Sequence, residues 1–315
     1  MIPSFRKLVP TLLLSTLSLI ATPACKKAAA PGAAAPAAAP ETAAADEADE
    51  AEGAKLSAAI ECLNRHTANV WEIRDKYLET VDAKTGNSKG KKPILMGMYG
   101  TDGCANGVKR AAAVKPPVPA LDTASAAYVT ALLNVEKSWE EVKGYYTKDE
   151  HLDDKGKKGE ELHPKLMDAI KGFAAANKAL SGTVQTTNRT RREAKVAARE
   201  KAEGRKLAVI MDLMMLEAET LVGLATEEGA DSAKLDAQIA KTTKLVDEVD
   251  TYAAAHKDET NQFGSMANIK NYDKTFLAAS KAVARKVRDK AAPTDDDYSA
   301  VSRQYNFLVD NYNHH

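Results

Sequence analysis

The residues best equipped for chemistry lie in one short stretch, where His151, Asp153, Asp154 and His163 fall close together. Carboxylate and imidazole ligands can hold a divalent cation, and paired carboxylates can divide the roles of acid and base. A metal-dependent periplasmic hydrolase working through the Asp153/Asp154/His163 loop is therefore one reading. The spacing does not favour it: there is no His-Glu-x-x-His and no loop of alternating acids around a central glycine. In the simpler reading Asp153 and Asp154 accept bonds from free backbone donors in a turn, and His163 caps a helix that starts at Pro164. The sequence assigns no catalytic residue, no metal and no cofactor. Gly100-Thr101-Asp102-Gly103 lacks the Gly-Lys-Ser/Thr that completes a phosphate loop and reads as a turn. His314 and His315 read as solvated chain end.

A second cluster is basic. Arg189, Arg191, Arg192, Lys195 and Arg199 fall in a segment, 186–206, where the apolar stripe of the flanking helices disappears. Either those helices continue past the bundle as an arm, or the segment is a turn with a frayed return helix. The plain reading is a solvated helix with Arg189–Glu193 and Arg199–Glu203 pairs. The functional reading is a contact for anionic lipid headgroups or acidic envelope polymers. Nucleic acid is excluded as a partner, because no aromatics interleave with the charges. The 44 basic and 44 acidic residues also cancel, leaving no global field.

The chain start carries an address. Arg6 and Lys7 precede an apolar stretch centred on Leu12, Leu13, Leu14, Leu17, Leu19 and Ile20. It is too short to span a bilayer but long enough for a signal peptide. Thr22-Pro23-Ala24-Cys25 then resembles the bacterial lipobox, in which a small residue precedes the lipidated cysteine. Residues 1–24 are thus expected to be a lipoprotein signal peptide and Cys25 the lipid anchor to the membrane; the competing reading is an ordinary secretory signal with its cleavage site nearby. Residues 25–54, rich in Ala, Pro and acids, are expected to be a disordered linker. Two cysteines remain, Cys62 and Cys104. In an oxidising compartment they form a disulfide closing a loop of about 42 residues; otherwise they are two free thiols, one buried in a helix. In an organism with two membranes, Lys26 after the anchor cysteine favours an outer-membrane fate facing the periplasm over the inner membrane, with surface exposure left open. An envelope protein is a further candidate partner.

These groups must be positioned by helices. Apolar residues recur at three- and four-residue spacing through residues 55–315. Tyr128, Leu132, Val135, Trp139, Val142 and Tyr146 mark one stripe, and Leu162, Leu166, Ile170, Phe173, Leu180 and Val184 another. Further stripes begin at Leu56, Leu207, Leu235, Phe276 and Tyr298. No segment alternates with period two. The expected fold is all-α, an elongated antiparallel helical bundle packed at shallow angles. Asp231 and Thr294 are expected helix caps, the latter followed by Asp295, Asp296 and Asp297 in the first turn.

The stretch Gly144-Tyr145-Tyr146 through Asp153-Asp154, followed by Lys158-Gly159 and Leu162-His163-Pro164, resembles the signature of the YiiG-like bacterial lipoproteins. Tyr305-Asn306 and Tyr312-Asn313, seven apart, are similar to that family's closing helix. The resemblance covers roughly residues 58–313 and implies a lipidation cysteine and a helical domain. It brings no activity, since the family is classed as of unknown function. The chain departs from the family at His151-Leu152, where an aromatic residue commonly precedes the paired aspartates.

Overall fold

The structure is a computed structural model that describes residues 40–90, 93–227, 229–260 and 266–313. The expected signal peptide, Cys25 and the first part of the linker lie outside the described residues, as do His314 and His315. The described residues form ten helices and no strand: α1 (Pro40–Thr80), α2 (Asp102–Ala113), α3 (Pro119–Thr147), α4 (Glu150–Asp153), α5 (Lys157–Glu203), α6 (Leu207–Ala225), α7 (Ser232–Ala255), α8 (Lys257–Thr260), α9 (Met266–Arg288) and α10 (Asp295–Asn313). The protein is all-α. Among them, no helix is long and apolar enough to cross a membrane.

The helices gather into two compact units, one of described residues up to Asn188 and one from Arg189 onward. Helix α5 contributes residues to both.

In the first unit α1 starts at Pro40, so the latter part of the expected linker is helical. The reason is compositional. Ala and Glu are strong helix formers, and proline costs nothing at the first helical position. By Ala51 the helix is already packed, with that residue 1% exposed. A second difference is α2, which begins at Asp102, within the Gly100–Gly103 stretch expected to be a turn. Its glycines hide it, yet it buries Cys104 and Val108. Cys104 pairs with Cys62 of α1 in a disulfide with a Cα–Cα distance of 5.1 Å. The buried Lys55 makes a second tie. Its ammonium donates to Ala111 O at 3.0 Å and Ala112 O at 3.3 Å, at the end of α2, and pairs with Asp122 of α3 at 2.8 Å. Cationic donors suit the free carbonyls of a helix C-terminus.

The expected stripe on α3 is sealed, from Tyr128 to Tyr146. It meets α1 through the edge-on pair Tyr77–Trp139 at 5.9 Å and α5 through the tilted pair Tyr128–Phe173 at 5.3 Å, while Trp71 of α1 meets Phe173 edge-on at 5.7 Å. The Trp139 indole donates to Met96 O at 3.0 Å, pinning the connection before α2.

The second unit is built around α6, whose Leu207, Ile210, Met211, Met214, Met215, Leu221 and Val222 are buried against α7, α9 and α10. Both expected caps are present. Asp231 accepts from Lys234 N at 2.9 Å. Thr294 and Asp297 satisfy each other: Thr294 N donates to the Asp297 carboxylate at 2.6 Å, and Asp297 N donates to the Thr294 hydroxyl at 3.4 Å. The Lys286 ammonium, the Thr294 N–H and the Thr294 hydroxyl, which donates to the same carboxylate oxygen at 2.8 Å, hold Asp297 down to about 2.

Candidate functional site

The signature residues converge on the loop that follows α1. Residues 81–90 fold on themselves: Val81 bridges Ser88, and the Asp82 carboxylate accepts from Lys84 N, Thr85 N and the Thr85 hydroxyl. The loop is then bolted from three sides. Tyr146 at the end of α3 donates its hydroxyl to Gly86 O at 2.8 Å. His163 of α5 places Nε2 3.0 Å from Ala83 O and Nδ1 3.2 Å from the Tyr77 hydroxyl. A carbonyl only accepts, so in the neutral ring Nε2 carries the proton and Nδ1 takes the Tyr77 hydroxyl proton as its bond. Asn87 donates to Glu160 at 2.7 Å.

Two glycines permit this closeness. A Cβ on Gly86 would lie 2.3 Å from the His163 Cβ and 2.9 Å from Gly159 O, at a backbone φ of +76°. A Cβ on Gly159 would lie 2.9 Å from the Tyr146 hydroxyl and 3.2 Å from the Tyr145 ring. The paired tyrosines, the Lys-Gly step and the Leu-His-Pro of the signature are thus parts of one packed joint.

Asp154 is the anchor of the turn. It accepts from the Tyr145 hydroxyl at 2.7 Å, from Gly156 N at 2.9 Å and from Lys158 N at 2.9 Å. The Tyr145 hydroxyl, then those backbone donors, hold its carboxyl below the usual carboxylate range. Burial pushes the Tyr77, Tyr145 and Tyr146 phenols up, so each stays a donor. The backbone-accepting role expected of Asp154 is present. Asp153 does not share it: the residue is exposed and turned to solvent. His163 does not cap a helix beginning at Pro164. Helix α5 begins at Lys157, because Asp154 and the left-handed Gly156 (φ +86°) start it there, and Pro164 lies inside it. His151 packs its ring 5.2 Å from Tyr146, and Lys158 pairs with Glu150 at 2.8 Å. Among the described residues no group of three or more His, Cys, Asp and Glu is placed to hold a metal ion.

The basic segment is not an open cationic face. Helix α5 runs unbroken to Glu203, and Gly204 at φ +79° turns the chain into α6. The expected Arg189–Glu193 and Arg199–Glu203 pairs form, at 2.7 and 3.4 Å. The helix is not merely solvated, however, because α6 supplies acids to it. Arg192, 7% exposed, pairs with Glu219. Arg199 pairs with the buried Asp212 at 3.2 Å, and the Tyr312 hydroxyl of α10 donates to the other oxygen of the same carboxylate. Arg189 reaches Glu217 at 3.3 Å and Leu216 O at 3.1 Å. Arg191 and Lys195 are half-buried and also engaged.

The pairings form tiers. Arg199, Asp212 and Tyr312 make one, and Arg192 and Glu219 make the next, with Tyr305 close enough to feel both charges. Each helix contributes residues seven apart, which is two turns and returns a side chain to the same face. Only the Tyr305/Tyr312 spacing stands out in the sequence. The matching steps of Arg192/Arg199 and Asp212/Glu219 were the signal for the rest.

A family model described as "Protein of unknown function (DUF3829)" matches residues 50–314. The chain is also 27% identical, over 281 residues, to the "Uncharacterized protein YiiG" of Escherichia coli (strain K12), a match covering 82% of this chain and 78% of that protein. No solved structure matches. The family match spans both helical units and takes in the signature joint and the closing tyrosines, so the chain belongs to the DUF3829 family of proteins of unknown function.

Proposed function

We propose that the protein is a cell-envelope lipoprotein, acylated at Cys25, whose helical units act as a non-enzymatic binding or structural module. The Cys62–Cys104 disulfide carries this reading. Buried structural disulfides belong to oxidising compartments, and the basic, apolar and small-residue order of residues 1–25 supplies the route there. What supports a non-enzymatic role is how the signature spends its polar groups. Tyr77, Tyr145, Tyr146, Asp154 and His163 bond to one another or to backbone. An envelope protein, an anionic lipid or a wall polymer is the class of partner proposed, and the outer membrane facing the periplasm the proposed location.

Metabolic labelling with a clickable palmitate analogue tests the anchor. The wild-type chain is expected to take up label and sediment with membranes, and Cys25→Ser to do neither. Equal labelling of the two would overturn the proposal.

A further inference from the structure

Asp273 sits on the inner face of α9, 1% exposed, with neither carboxylate oxygen hydrogen-bonded. Its neighbours along that face are Ile269, Phe276 and Leu277, all buried. Ser280, two turns on, is fully buried with its hydroxyl also unpaired. Across on α7, Asp250 is held by Lys270 at 3.1 Å and Lys274 at 3.7 Å, so the ammonium of Lys274 is committed to another acid. The charges acting on Asp273 are Asp250 from α7 and Lys274 from its own helix; none acts from α6 or α10.

An ionised carboxylate without donors is among the costliest groups to seal in a core, and such groups stay neutral instead. We infer that Asp273 is a pH-sensitive release built into the second unit, its neutral acid staying sealed in the core and its ionised form working α9 loose. Burial, and then the Asp250 charge, push its carboxyl up to about 7. The folded value lies above the unfolded one, so the folded state holds a proton that the unfolded state has lost. Stability is therefore greatest in acid, falls as pH rises from about 4 through 7, and levels off above.

Hydrogen exchange of the full chain reads this directly. Between pH 5 and pH 8, after correction for intrinsic exchange, amides of Met266–Arg288 are expected to lose protection by about a hundredfold. Asp273→Asn cannot ionise and should hold its protection constant over that range. Asp250→Asn leaves the buried acid in place but removes the repelling charge, and should move the transition to lower pH. If wild type and Asp273→Asn lose protection equally, or if Asp250→Asn leaves the midpoint where it was, the inference is wrong.

Discussion

A methyl group on Gly86 would collide with the Cβ of His163, an atom too near its own backbone to swing away, in a conformation that side chains rarely adopt. Gly86→Ala should therefore destabilise the chain by at least about 2 kcal/mol in urea unfolding. Tyr146→Phe at the same joint deprives Gly86 O of its donor and should cost about 1–3 kcal/mol. The two neighbouring aspartates separate the structural account from a metal-centred one. Asp154→Ala should lower the thermal midpoint by several degrees, whereas Asp153→Ala, at an exposed position, should leave it in place. A stoichiometric metal lost from the Asp153 variant would reinstate the hydrolase. The role of Asp154 is local, completed within four residues on one side and by Tyr145 on the other, so it is legible in sequence. His163 is different. Its partners, Tyr77 and Ala83, lie 86 and 80 residues away, and nothing near Pro164 points to them.

At the scale of elements, apolar periodicity located every long helix but α2, and failed where helices are held by something else. Alanine and acids extend α1 back to Pro40 without an apolar stripe. Glycines obscure α2, whose contribution is one disulfide and a few buried contacts. The distal part of α5 packs through ion pairs and one valine, Val196 against Val209 and Leu216, which together leave no apolar stripe. That last difference has an energetic consequence. Arg192→Met strands the Glu219 carboxylate and should cost roughly 2–3 kcal/mol, less than a fully sealed pair because Glu219 keeps some solvent. The double variant Arg192→Met/Glu219→Leu should recover most of that loss, and a denaturation cycle over the four chains measures the coupling. Additive losses would mean that the tier is decorative.

For the molecule as a whole, sequence and structure meet at Cys62 and Cys104. The sequence left them as a bridge or two free thiols, and the fold joins them. On the chain-entropy account a closure of 42 residues contributes about 4 kcal/mol. That is a large share of the marginal stability of a domain. Intact-mass spectrometry of the protein extracted from membranes reads the anchor and the bridge together. The account predicts a chain beginning at Cys25, heavier by its lipid and lighter by the two hydrogens lost in the Cys62–Cys104 bond. A chain with no lipid that begins elsewhere, or one with both thiols free, would contradict it.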